Sequence, residues 1–178
     1  MRLTARDLAY GGLFGAVAFL LPVLFHLVRL GHLFMPMYPP LVVLAFLTVP
    51  RVSATTALIV PILSGLVTGM PPFYPPIAPV MAVELAVMAL LIGLFVEKWP
   101  RIGVLPLLVP ILLIGRVINV GLSFVAAQLI ELPPGFVAGL SLLSGWPGLI
   151  LLVLIVPPLV GRLRARDSRF LAAVEGGK

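Results

Sequence analysis

Few side chains in this 178-residue sequence can do chemistry, and those that fall inside long apolar runs stand out. His26 and Arg29 lie on the last turns of a first run, and His32 follows just beyond it. Glu84 lies about one turn into a fourth run. Arg116 and Asn119 share a face of a fifth at i, i+3, with Gln128 nearer its far end. An ionisable group inside a bilayer costs several kcal/mol unless it is paired or hydrated, so each of these is a functional candidate. Glu84 and Arg116 are the only opposite charges deep in neighbouring runs. Either they pair and lock two helices, or one or both hold a polar group of a ligand with Asn119 beside them. His26 and His32, with Met35, Met37 and Met70 nearby, raise the question of a soft metal or haem iron. Their six-residue spacing is not a helical i, i+4 pair and no carboxylate joins them, so no metal site is assigned.

Several chemistries are excluded outright. There are no cysteines, hence no disulfides, thiolate nucleophile or Cys-based metal site. The sequence contains no phosphate-binding G-x-x-x-x-G-K-[ST], no H-E-x-x-H and no G-x-S-x-G elbow. Ser53, Ser64, Ser123, Ser141 and Ser144 have no histidine at a matching depth. The expectation is a protein that is not an enzyme, binds no resident cofactor and contacts no nucleic acid.

The elements that must position these residues follow from composition. Hydrophobic residues are 61% of the chain and charged residues 10%, against about a half and a quarter in soluble domains. A soluble fold of this length cannot hide so much apolar surface, so the surplus faces lipid. A span needs about 20 apolar residues, fewer when short or re-entrant. The pattern predicts an all-α integral membrane protein, a single transmembrane domain over 1–178. Six transmembrane helices are expected over about 8–30, 40–49, 53–69, 79–96, 104–130 and 140–160, with a polar, basic tail over 161–178. The first run is too long for a signal-peptide core and is read as a retained helix. Placing the N-terminus inside puts Arg2, Arg6, Arg51, Lys98, Arg101, Arg162, Arg164, Arg166, Arg169 and Lys178 in the cytoplasm, ten of the twelve basic residues. The expected location is the cytoplasmic membrane, with both termini inside.

The two faces then differ. Inner links are short and basic. Outer links carry little charge and are rich in proline and aromatics: 31–40, 70–76 and 131–136. Proline fixes φ and removes a donor, so such loops are stiff, which suits a preformed lid over an outward-facing pocket. In the first helix Ala5 and Ala9, Gly11 and Gly15, and Gly12 and Ala16 recur at i, i+4, a spacing that lets another backbone approach closely. Packing within the bundle and docking onto another membrane protein both fit.

At these residues the sequence resembles the S-components, the substrate-binding membrane subunits of energy-coupling factor (ECF) vitamin transporters. The small-residue first helix looks like that family's alanine-x-x-x-alanine docking surface. Phe34-Met35-Pro36-Met37-Tyr38-Pro39 is similar to a leucine-proline-methionine-histidine-x-proline stretch of one branch. Thr68-Gly69-Met70-Pro71-Pro72 and Glu84-Leu85-Ala86 follow in that branch's order. The likeness covers about residues 5–96. Tyr38 stands where the branch has histidine, which removes any contact that depends on an imidazole there.

The resemblance implies a compact six-helix subunit that captures a vitamin-like small molecule outside. It would dock through Ala5, Ala9, Gly11, Gly12, Gly15 and Ala16 on a transmembrane coupling subunit. Two partner ATPases would use the ATP, and the S-component would topple to release its cargo. Met35, Met37 and Tyr38 would belong to the first lid and Met70, Phe73 and Tyr74 to the second, with Glu84 facing the cavity. His26, Arg29, His32, Arg116 and Asn119 complete the candidate site. Its aromatics, methionines, one acid–base pair and one amide favour a flat, mostly apolar heterocycle over a polyanion. Two other readings compete: a six-span scaffold of the cell-shape type without a ligand, and an intramembrane enzyme built on Glu84.

Overall fold

The structure, a computed structural model, describes residues 3–27, 35–131 and 146–166, and among these it contains six helices and no strands. They are α1 (Ala5–Leu27), α2 (Tyr38–Leu47), α3 (Pro50–Thr68), α4 (Ile77–Lys98), α5 (Val104–Leu129) and α6 (Trp146–Ala165). Five of them are long and apolar enough to cross a bilayer. At about 1.5 Å per residue, the ten residues of α2 reach only about half of a hydrocarbon core about 30 Å thick. This is a multi-pass membrane fold in which one helix is too short to span by itself.

Helix ends depart from expectation for local reasons. α1 starts before Leu8 because Thr4 and Asp7 form a reciprocal cap. The Thr4 N–H and hydroxyl donate to Asp7 Oδ2 at 2.9 and 2.6 Å, and the Asp7 N–H donates back to Thr4 Oγ1 at 3.3 Å. Asp7 Oδ1 also accepts from the Val49 N–H at 3.4 Å, so this carboxylate is wholly buried inside an apolar helix end. Proline at N1 or N2 opens both α2 and α3, where the missing donor costs nothing. Pro50 and Arg51 therefore begin a helix rather than close one. α3 stops at Gly69, whose φ of 74° is the left-handed cap that glycine adopts freely. α6 is described from Trp146 and runs on to Ala165; its expected start at Leu140 lies outside the described residues. Its basic side chains Arg162 and Arg164 lie in the last turn, where they face the negative end of the helix dipole.

α2 is the centre of the bundle. From Pro36 to Pro50 every residue but Pro39 is buried, and a helix apolar on all sides is stable only when surrounded. α1 and α3 lie side by side in the same direction: a Cβ at Gly11 would meet Val52 and Thr56, and one at Gly15 would meet Thr56 and Val60. α4 runs opposite to α3, with Gly93 against Pro50 and the Ser53 hydroxyl donating to the Ala89 carbonyl at 3.5 Å. α5 runs opposite to α4, with Gly115 against Met88. At the far end of α6, Arg164 donates to the Phe46 carbonyl at 3.3 Å and stacks over the Phe46 ring at 5.3 Å. Asp7, Val49, Phe46 and Arg164 thus tie the start of α1, the α2–α3 link and the end of α6 together. Both described ends of the chain lie at the same end of the bundle. Arg51, Lys98, Arg101, Arg162 and Arg166 are exposed on α3, α4, α6 and the links there.

Candidate functional site

α2 ends at the basic end of the bundle, and its first residue lies well short of the opposite end. Tyr38 is 3% exposed, and its hydroxyl donates to Glu84 Oε2 at 2.6 Å. Glu84 is seven residues into α4, so this contact lies about 10 Å from the N-terminal end of that helix. The described chain before Tyr38 begins at Met35. It turns at Met35, which has φ 46° and accepts the Tyr38 N–H at 3.0 Å, and Met37 beside it is buried.

A second donor reaches the same oxygen. Asn119 Nδ2 donates to Glu84 Oε2 at 2.7 Å from α5. Glu84 is 1% exposed and Arg116 7%. The direct hydrogen-bond partners of Glu84 are therefore a phenol and an amide, one on each side, while Arg116 is close enough for its charge to act on the carboxylate. Glu84, Arg116 and Asn119, expected together from the sequence, are joined by Tyr38 in a three-helix polar layer. Asn119 and Gly115 are one turn apart on the α5 face that meets α4. Gly115 makes room for Met88: a Cβ there would require the Met88 side chain to shift and would stand 3.4 Å from Glu84 Oε1. Sequence reasoning passed over Gly115; the signal available was a glycine directly before the one cation deep in a span.

Above this layer the packing thins. In the inner half of α5, Leu107, Leu108, Ile111, Leu112, Gly115 and Arg116 are buried, whereas between Val117 and Leu129 only Ala127 is. A narrow cleft between the N-terminal end of α4 and the C-terminal end of α5 is lined by Pro76, Ile77, Val80, Ser123 and Ala127. Val80 is one turn from Glu84 and Ser123 one turn from Asn119, and neither Glu84 nor Asn119 lines the cleft.

The segment 70–76, expected as a second lid, is anchored at its base. The Ser64 and Thr68 hydroxyls donate to the Met70 carbonyl at 2.7 and 3.1 Å, and the Ala78 N–H donates to the Pro72 carbonyl at 3.0 Å. Phe73 folds back over Gly65 while remaining partly exposed, as does Met70; Tyr74 is 68% exposed. These three stand at the protein surface, apart from the buried layer. The side chain of His26, and Arg29 and His32 entirely, lie outside the described residues. Among the described residues no group of three or more His, Cys, Asp or Glu side chains is placed to hold a metal ion.

The small residues of α1 separate into two faces. Gly11 and Gly15 are buried against α3, whereas Ala5, Ala9, Gly12 and Ala16 are exposed, and a Cβ added at Gly12 meets nothing within 4 Å. Gly11 and Gly15 thus serve packing inside the bundle, and only the other four remain available to a partner.

No family model, curated protein or solved structure matches the chain.

Proposed function

We propose that this protein is the substrate-capturing membrane subunit of an ECF-type importer, taking a small heterocycle from outside and passing it on through a coupling subunit driven by separate ATPases. The observation that supports this most directly is the placement of Tyr38. A buried helix that fills only the inner part of the bundle leaves its polar first residue as part of a floor, with Glu84, Asn119 and Arg116, beneath a loosely packed outer half. A ligand site needs this combination of apolar walls and a few convergent polar groups.

In this reading the basic end of the bundle faces the cytoplasm, as the Lys/Arg bias of short loops requires. The six helices sit in the cytoplasmic membrane with both termini inside. The exposed face Ala5, Ala9, Gly12 and Ala16 docks on the coupling subunit. Small side chains permit close helix contact in lipid, where burial of apolar surface supplies no driving force. The alternative, a scaffold without a ligand, treats the same polar layer as an interhelical lock.

Replacing Gly12 and Ala16 by leucine separates the two. The positions are open, so the variant folds; the capture reading expects bound ligand to be kept and uptake into cells to be lost. Uptake at the wild-type level would refute docking through this face. Lost recruitment of a partner by a protein that never carries a small molecule would favour the scaffold.

A further inference from the structure

Charge is distributed unevenly over the bundle, and we infer that its basic end binds the headgroups of anionic phospholipids through a collar that is open at α1. This goes beyond ligand capture and holds whether or not a small molecule is bound. Arg51, Lys98, Arg101, Arg162 and Arg166 are exposed there, on α3, on α4, in the α4–α5 link and at the end of α6. The described residues include only four acids, and these do not offset the five cations. Asp7 is wholly buried and bonded to Thr4 and Val49, Glu84 lies in the interior layer, and Glu131 follows α5 at the opposite end. Among the described residues Glu97 is the one exposed acid at the basic end.

Two features favour a lipid over an acidic protein as the partner. α3, α4 and α6 all pack on α2, so the cations stand on several sides of the bundle, as a surrounding bilayer meets it. They also end helices with exposed apolar flanks: Leu94 and Phe95 lead to Lys98, and Leu159 leads to Arg162. The corner of α3 and α4 is the most explicit part. Pro50 packs on Gly93, so Arg51 opens α3 beside the last turns of α4. Trp99 at this corner is 47% exposed, with its ring stacked on Phe95 at 5.4 Å and the Lys98 ammonium 4.6 Å from its centroid. Tryptophan and lysine so placed sit at headgroup level, and a guanidinium takes phosphate oxygens in pairs. The α1 side differs. Arg6 is half-buried, its guanidinium donating to the Tyr10 hydroxyl at 3.0 Å, and Ala5 and Ala9 are exposed. Anionic lipid is therefore held at α3, α4 and α6 and not at the face proposed for docking.

The chain has two tryptophans, and they stand at opposite ends. Trp146 opens α6, about 27 Å from Arg164 along the helix. Full-length Trp146→Phe protein in liposomes therefore reports the lipid beside Trp99, by fluorescence quenching with brominated phosphatidylglycerol against brominated phosphatidylcholine. Trp99→Phe protein reports the other end. One basic residue near the surface favours anionic lipid by about 5-fold. At Trp99 a preference for phosphatidylglycerol of about 5-fold or more is expected in low salt. It should fall below about 2-fold in 1 M salt, where the screening length is about 3 Å. At Trp146 neither lipid should be preferred. Replacing Arg51, Lys98 and Arg101 together by glutamine, all at exposed positions, should abolish the preference at Trp99. Equal quenching by the two lipids at Trp99 overturns the inference and leaves the patch to an acidic protein surface. The same preference at both tryptophans, or one that survives the triple replacement, overturns it as well. The comparison of the two tryptophans needs no charge variant, so poor folding of the triple variant leaves it decisive.

Discussion

Removing one oxygen atom from Tyr38 tests whether the buried layer is built as described. Tyr38→Phe keeps the ring, so no cavity opens, and deletes only the O–H that reaches Glu84 Oε2 at 2.6 Å across 46 residues of sequence. A hydrogen bond to a charged group is worth about 1.5–3 kcal/mol in soluble proteins. Between membrane helices the mean is nearer 0.6 and the maximum about 1.7 kcal/mol, because helices separated in the bilayer find other partners. Both groups here are almost fully buried, and Tyr38 begins a helix with no lipid-facing side. The upper part of the membrane range therefore applies, and a loss of about 1–1.5 kcal/mol is expected. Asn119→Ala removes the second donor to the same oxygen, so the double variant should lose more than the sum of the two, by about 0.5 kcal/mol or more. Reversible unfolding in mixed micelles, or steric trapping in bicelles, measures all four proteins. A Tyr38→Phe effect below about 0.3 kcal/mol, additive with Asn119→Ala, would falsify the shared-oxygen geometry.

Other consequences are simpler to check. Gly15→Leu places its Cβ 3.1 Å from Thr56 Cγ2 and forces α1 from α3, so a loss of about 1–3 kcal/mol is expected, while Gly12→Leu should unfold at the wild-type midpoint. Gly115→Ala drives into Met88 and should cost a similar amount, recovered in part by Met88→Ala; no recovery would mean that the two do not touch. Asp7→Ala strips the cap of α1 and its tie to Val49, and a fall of about 1–2 kcal/mol is expected in the same unfolding assay. Because the chain has no cysteine, Tyr74→Cys and Arg101→Cys report topology directly. A membrane-impermeant thiol reagent should label the first in intact cells and the second only after permeabilisation, and the reverse pattern would invert the orientation.

The helices were largely legible because long apolar stretches are interrupted by proline, glycine and charge. α5 is expected from Val104 to Ile130 and found from Val104 to Leu129. Errors gathered where a charged residue is satisfied inside a helix, as Asp7 is by Thr4 and Val49, or where proline starts a helix instead of ending one, as at Pro50. The residues were legible, since Glu84, Arg116 and Asn119 stand out by type, but their common depth was not: Glu84 is expected about one turn into its helix and lies seven residues in, level with Asn119. Azimuth was not legible either. In a membrane protein the interior and the lipid are equally apolar, so hydropathy does not say which side of a helix faces its neighbours. That is why Gly11 and Gly15 could not be told from Gly12 and Ala16, although adjacent residues point about 100° apart. Asn119 is expected beside Glu84 and donates to it, whereas the Tyr38 hydroxyl, 46 residues away in sequence, carries no signal that it reaches the same oxygen.

The most direct test of ligand capture is what the protein carries out of the membrane. Purified in mild detergent, washed, denatured and examined by mass spectrometry, the wild-type protein should release one small heterocycle in near-stoichiometric amount. Asn119→Leu, which removes a donor and fills the space above the floor, should release little or none. Equal amounts from both proteins, or no small molecule from the wild type even after growth with a panel of vitamins, would contradict the account and leave the Tyr38–Glu84–Asn119 layer as a structural lock.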